Sequence, residues 1–546
     1  MANQVVNVAV SLLKAPAPIK LQRSGALISQ GGTNTSPGTK TFLSQLSSLA
    51  VNLASALALT SITWSGGVAT ATTGSPHGMT TGDQFLTTIA GANQAGYNGT
   101  FLGTITGAST FTYQLATEPS GTSPATGTIT YTPRNVAELV AMNNTFFAQG
   151  NGPGVTVLEL GAGEVGAGVT ALTNWIAQNP GVFYRYLVPR SWDGNAAFLA
   201  FLAGFENNTS LTYFHVTTTL ENWPLYAGMK CVVAEIEAPA YGAWSQSTLT
   251  ALSQTGGAAT GSTSASHGIS PGQWFQISGV TPSGWNGWWL ALPGTGGSSL
   301  VFNVPSALGA ESVLGVVLAS QYASAGVPAT EFSHAADFWV ALNYNPSSTN
   351  QVTPFGLSRL FGVTPFPLQG NASLLATLEA GNVNVVGTAS QGGLTDTLLS
   401  GGNGMDGNPV NYWYSIDWVQ LNVAAAVFVY LYNGSNNPQN PVWYDQNGIN
   451  GGQSVIARTM ATGITGGLVL NPVKMVQLPA EQWVQALDAD TYGAYTAINA
   501  DPFSSYVAEN PDDFPAGVYN GWSIDYVPRR GFASVTVNVA VSNFPT

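Results

Sequence analysis

A single cysteine, Cys231, excludes an internal disulfide and a thiolate cage for zinc. Charge is scarce too: 13 Lys and Arg stand against 26 Asp and Glu, so only 7% of 546 residues are charged, where an ordinary soluble domain carries roughly 25%. The net charge is −13 and no basic block occurs, which argues against nucleic acid, because phosphate binding needs clustered Lys and Arg. Long apolar runs are missing as well. The longest, Trp418–Tyr432 (WVQLNVAAAVFVYLY), holds Gln420 and Asn422 and falls short of the roughly 20 residues of a spanning helix, so it reads as a buried core helix or strand. MANQVVNVAVSLLKAPAPIK lacks the basic start of a secretion signal. Hydrophobic residues still make up 45%, too many for charge-driven disorder. A chain this short of charge cannot keep a large surface hydrated alone. Its surface is expected to be covered by neighbours.

What is present begins with an internal repeat. Residues 68–101 (VATATTGSPHGMTTGDQFLTTIAGANQAGYNGTF) match 258–289 (AATGSTSASHGISPGQWFQISGVTPSGWNGWW). His77-Gly78 corresponds to His267-Gly268, Gly82 to Gly272, Phe85 to Phe275, and Gly96-Tyr97-Asn98-Gly99 to Gly284-Trp285-Asn286-Gly287. Short Thr, Val and Phe runs between Gly, Pro and Asn turns make each copy a small all-β module, at about 61–132 and 248–319, inserted into a larger body. That body comprises 1–60, an N-terminal arm and helix; 133–247, an α/β part; and 320–546, an α/β C-terminal part ending in a strand arm.

In the body, strand and helix signals alternate. Val155–Leu160, Val182–Val188, Leu211–Thr218, Cys231–Ile236 and Asn382–Gly387 read as strands. Val169–Gln178, Asn195–Phe205, Ile416–Tyr432 and Gly451–Thr462 read as helices, the last ending at Gly463. Phe42, Leu46, Leu49, Leu53 and Leu57 form one stripe that predicts a further helix over 42–59. The fold class is therefore α/β, a mixed sheet with helices, carrying two small all-β modules. At both ends stands VNVAVS, residues 6–11 and 537–542, with Val6, Val8 and Val10, or Val537, Val539 and Val541, on one face. These strands either add to another subunit's sheet edge or pair within their own chain.

Chemical motifs are few. Gly161-Ala162-Gly163-Glu164-Val165-Gly166 fits GxGxxG between a strand and a helix. With 64 glycines, about one such match arises from composition alone, and no acidic residue closes the next strand. It reads as a strand-to-helix turn. Gly268-Ile269-Ser270-Pro271-Gly272 fits GxSxG, yet Pro271 and then a strand follow where a nucleophile elbow needs a helix, and Thr80 replaces Ser270 in the sister copy. His77 and His267 sit at matching turns; His215 lies in a strand and His334 near a helix start, with no motif partner. Glu235 and Glu237 share one side of a strand and point to solvent or to an Arg of a neighbour. Asp488/Asp490 and Asp512/Asp513 share no motif. No catalytic residue, cofactor or metal is expected, and the chain reads as a non-enzyme.

The segment Tyr344–Pro367, YNPSSTNQVTPFGLSRLFGVTPFP, resembles the body of phage contractile-tail sheath proteins, as does Trp522–Ser542, WSIDYVPRRGFASVTVNVAVS. The resemblance spans the body and leaves out both β-modules. It implies a structural subunit that stacks as rings around a tail tube, exchanges terminal strands with its neighbours, and contracts to drive the tube through the host envelope. Energy would be stored in the lattice, so no nucleotide site is needed. Implied partners are other copies of itself, the tail tube protein, and baseplate and tail terminator proteins, with no nucleic acid and no membrane insertion. The place would be the virion tail, and the host cytoplasm during assembly. The alternative is a tail fibre, baseplate or virion-surface adhesion protein whose β-modules bind glycans.

Overall fold

In a computed structural model of the chain, residues 21–531 are described except 66–67, 78, 80, 82–83, 116–117, 120–122, 207–209, 220, 238–243, 270, 272–273, 279, 305–307, 313, 315, 321–330, 348, 367–371 and 392–393. Val6, Val8, Val10, Val537, Val539 and Val541 lie outside the described residues.

The body is organised by one eight-stranded sheet. Its strands are β1 (Gly25–Ser29), β2 (Lys40–Leu43), β3 (Val155–Glu159), β4 (Arg185–Leu187), β5 (Tyr213–Thr218), β6 (Val232–Ile236), β7 (Asn384–Gln391) and β8 (Leu394–Ser400), in the order β2-β3-β1-β4-β5-β6-β7-β8. The six inner strands are parallel, while β2 and β8 run antiparallel at the two edges. Parallel strands need layers on both faces, and the burial patterns say so: β1, β5 and β6 are buried at every position. On one face lie α2 (Val165–Gln178) and α3 (Ala196–Ala203), whose Leu172, Trp175, Phe198 and Leu202 meet Ala26, Leu158, Phe214 and Val216. On the other, α1 (Arg134–Ala148) and α4 (His334–Leu342) cover Leu27, Val155, Val157 and Leu187. Asn195 caps α3, its Oδ1 accepting from the amides of Ala197 and Phe198 at 2.9 and 3.3 Å.

Beyond α5 (Ala372–Ala380), the long pair α6 (Val410–Ser435) and α7 (Gln446–Thr465) packs on the sheet and carries a small sheet of β9 (Val473–Val476), β10 (Thr496–Ala500) and β11 (Trp522–Asp525). By length and composition α6 is apolar enough to cross a membrane. Its Tyr414, Val419, Val423 and Val427 are instead core, sharing one cluster with Met460 of α7, Ile498 of β10 and Ile524 of β11.

Residues 57–131 form a closed barrel of Leu57–Ser65, Val68–Thr73, Gln84–Ala92, Gly99–Gly107, Thr110–Gln114 and Gly127–Tyr131. Residues 244–320 form a six-stranded sheet whose strands follow the same cyclic order, open between Gly287–Leu290 and Ser299–Asn303. The matched residues do matched work. Asn98 both donates to and accepts from the backbone of Ala92, and Asn286 does the same with Val280, at 2.8–2.9 Å. The His77 and His267 rings each accept at Nδ1 from the amide two residues on. In each copy the first and last strands pair, Leu57 with Tyr131 and Trp244 with Ser320, so entry and exit of the chain lie side by side.

The expected helix over 42–59 is not there. Phe42 belongs to β2, Leu46–Asn52 is a 3-10 helix, and Leu57 opens the first barrel. Leu49 is buried, whereas Phe42, Leu46 and Leu57 are exposed: pairing of Lys40–Leu43 with β3 and of Leu57 with Tyr131 outweighs the helical stripe. The helices read from sequence as Ile416–Tyr432 and Gly451–Thr462 extend to Val410–Ser435 and Gln446–Thr465, because N-capping by Asp445 starts α7 earlier than its apolar pattern.

Two glycines let α7 seat closely. A Cβ on Gly451 would collide with Tyr430 of α6, and one on Gly452 with the indole of Trp522 on β11, a ring anchored by its Nε1 donating to the Ile449 carbonyl at 3.1 Å. Alanine in a helix interior is ordinarily worth about 1 kcal/mol over glycine. Here Gly452→Ala is expected to lower stability by about 1–3 kcal/mol through overpacking, measured by denaturant unfolding; a stabilised variant would refute the close approach.

Candidate functional site

Alternation along three parallel strands directs Arg185 (β4), His215 and Thr217 (β5), and Glu235 (β6) to the face covered by α4. The first turn of α4 returns His334 and Asp337, three residues apart and so on one side of the helix. Arg185, His215, Glu235, His334 and Asp337 are all fully buried.

The hydrogen bonds set the imidazole tautomers. Arg185 Nη1 lies 3.1 Å from His215 Nε2; a guanidinium only donates, so Nε2 accepts and the proton sits on Nδ1. His215 Nδ1 then donates to His334 Nε2 at 3.1 Å, which leaves His334 Nδ1–H facing Thr217 Oγ1 at 3.5 Å. Asp337 flanks the junction, with Oδ2 3.4 Å from His334 Nε2 and Oδ1 3.7 Å from His215 Nδ1. Among the described residues, neither carboxylate oxygen has a hydrogen-bond partner. Burial pushes His215 far below the ordinary imidazole range and His334 down to about 3, so both are neutral. Burial drives Asp337 and Glu235 upward.

Two neighbouring networks complete the cluster. Towards α6, Tyr184 and Tyr213 donate to Asp417 Oδ2 at 2.6 and 2.7 Å, and the Arg185 guanidinium lies 5.0 and 5.2 Å from their ring centroids. Towards the start of α4, Ser333 Oγ donates to Glu235, and Arg190 grips Glu237 through Nε at 2.6 Å and Nη2 at 3.0 Å. Glu237 also accepts from the Ser333 amide at 2.7 Å, while Glu331 accepts from Thr364 Oγ1 at 2.9 Å. The two glutamates expected to face solvent or a neighbour's Arg instead turn inward: Glu235 to Ser333 and Glu237 to Arg190 of the same chain. A strand edge reads as exposed until the helix that covers it, nearly a hundred residues later, is in place.

The glycine loop after β3 is occupied by an internal carboxylate. Gly161 adopts φ +88°, and its amide donates to Glu159 Oε1 at 2.7 Å, as does that of Gly31. Glu159 Oε2 accepts from Ser29 Oγ, Thr33 Oγ1 and the Thr33 amide at 2.7–3.1 Å. Amides that would cradle a phosphate are thus taken by a fixed negative charge, which repels one. Cys231 is buried against the Leu202 carbonyl, and burial raises its thiol pKa, which disfavours the thiolate.

Sequence reasoning left His215 and His334 without partners; the fold puts them in contact. They are 119 positions apart, with the second β-module between them. The readable signal was His334-x-x-Asp337 at a helix start.

No family model matches the chain, and no curated protein matches it. Among solved structures it is similar to the sheath tail protein Lin1278 from Listeria innocua, at 8% identity and a TM-score of 0.32, covering 83% of this chain and 89% of that one.

Asp417 makes the site pH-sensitive in a calculable direction. Burial raises it from 3.8 to about 6 in the folded chain, so its contribution is full below pH 3.8 and lost as pH rises through 6. At about 1.4 kcal/mol per unit, the loss approaches roughly 3 kcal/mol by pH 7. Asp417→Asn removes this slope: relative to wild type, its melting temperature is expected to climb between pH 4 and 7 and then level off. A difference constant with pH would exclude the assignment. For the glycine loop, calorimetric titration with NAD or ATP is expected to give no saturable binding; micromolar binding would overturn the role of Glu159.

Proposed function

We propose that the chain is a structural subunit of a phage contractile tail sheath, assembling as helical rings around the tail tube and contracting to drive the tube through the host envelope. The observation that carries this reading is the convergence of the two sheath-like segments on one core. Tyr344, Phe355, Leu360 and Val363 from the first, and Ile524 and Tyr526 from the second, pack in the same cluster as α6 and α7. In the same part of the chain Val429, Tyr432, Trp443, Leu470, Met475 and Val484 are exposed, which favours burial against neighbouring copies. Among the described residues, no strand pairs the outer edges of β9 and β11, leaving backbone donors and acceptors for an added strand.

In this reading the chain works without a catalytic centre or nucleotide. Its partners are further copies, the tail tube protein, and baseplate and terminator proteins, in the virion tail and, during assembly, the host cytoplasm. The same reading has the arms at 6–11 and 537–542 cross between subunits, the alternative being that they pair within their own chain.

Electron microscopy of the purified protein tests the assembly: hollow sleeves are expected, whereas compact trimers would favour the fibre or adhesion alternative. Proline has no amide hydrogen to give a ladder. Val8→Pro and Val539→Pro should each leave a folded monomer with unchanged melting temperature that forms no sleeves. Monomers melting several degrees lower would instead place both strands in their own chain's sheet.

A further inference from the structure

The cluster of His215, His334 and Asp337 has the dimensions of a metal site. Its ligand atoms lie within 4.8 Å of one another, with edges of 3.1, 3.4 and 3.7 Å. A tetrahedral zinc ion with bonds of about 2.0–2.1 Å needs ligand-to-ligand edges of about 3.3 Å. Two imidazole nitrogens and a carboxylate oxygen suit zinc and its neighbours better than magnesium or calcium, which prefer oxygen alone.

A second observation points the same way. Among the described residues, both oxygens of the buried Asp337 are without a hydrogen-bond partner, and Oε2 of Glu235 is in the same condition. Around them, Glu235, Glu237, Glu331 and Asp337 are set against Arg185 and Arg190, more acidic groups than basic ones. Buried polar groups ordinarily find partners. A divalent cation between β5 and α4 would meet both oxygens of Asp337 and reduce the excess.

We propose that His215 Nδ1, His334 Nε2 and Asp337 bind a zinc-class divalent ion, a structural site that clamps α4 to the centre of the sheet. Binding turns the His215 tautomer over: Nδ1 gives its lone pair to the ion, its proton leaves to solvent as the chain folds around the metal, and Nε2 takes a proton. Arg185 then loses its acceptor and keeps its places over Tyr184 and Tyr213. Two hydrogen bonds, Arg185 to His215 and His215 to His334, are exchanged for the metal bonds of three side chains. This site stands independently of the sheath assignment.

The test uses the full chain expressed with added Zn²⁺, desalted, and measured by elemental analysis and thermal melting; a parallel Co²⁺ preparation is read by its visible absorption. One zinc per chain, an intense tetrahedral cobalt spectrum, and a melting temperature lowered by unfolding and refolding in chelator are expected. Asp337→Asn and His334→Gln should lose the metal and melt several degrees lower. Wild type that carries no zinc and melts identically after refolding with chelator or with Zn²⁺ overturns the site, whatever the variants do. So does metal retained by both variants. An Asp337→Asn chain that melts higher than wild type also overturns it, since an amide relieves a buried carboxylate only where no ion is held.

Discussion

A guanidinium buried in the middle of a sheet constrains everything packed around it. Arg185 is 1% exposed, and a charge in that position is tolerated only where its surroundings replace water. Here they do so from two sides. Tyr184 and Tyr213 offer ring faces whose hydroxyls are tied to Asp417 of α6, and His215 offers a nitrogen lone pair on the side of α4. The polar line running Asp417, tyrosines, Arg185, His215, His334 and Asp337 therefore spans from α6 to α4 across β4 and β5. Removing His215 would leave Arg185 Nη1 and His334 Nε2 without the bonds they make to it, so the line helps to set where both helices dock. An apolar core of equal volume would not choose one placement so sharply.

The barrel over 57–131 and the six-stranded sheet over 244–320 have a different relation to the body. Each brings its first and last strands together, so the chain leaves and re-enters the body at nearly one point. Each has a hydrophobic cluster of its own. The six-stranded sheet lies along the chain between β6, which carries Glu235, and the helix that carries His334 and Asp337. The two halves of the buried cluster are thus separated along the chain by a whole domain while touching in space.

The α/β alternation was legible in the sequence because its causes are local. Runs such as Val155–Glu159 and Val232–Ile236 are strands by composition and length, and Asn195 marks the start of α3 by its own side chain. The matched turns of 68–101 and 258–289 were legible for the same reason, each Asn and His bonding within a few residues of itself. Over 42–59 the local signal misled, since a stripe of leucines among serines cannot compete with strand partners at Val155–Leu158 and Tyr131.

Composition and spacing by themselves determined that the chain is rich in apolar residues, poor in charge, without an internal disulfide, and built from alternating strands and helices with a repeated motif. Only the tertiary structure decided which polar residues meet. Strand order places β4, β5 and β6 side by side, and the return of α4 over them turns His215, His334, Asp337 and the Glu235/Glu237 pair from scattered single residues into one cluster. Hydrogen-bond partners 30 to 119 positions apart leave no periodic trace in a sequence, because their proximity is a property of sheet order and helix docking.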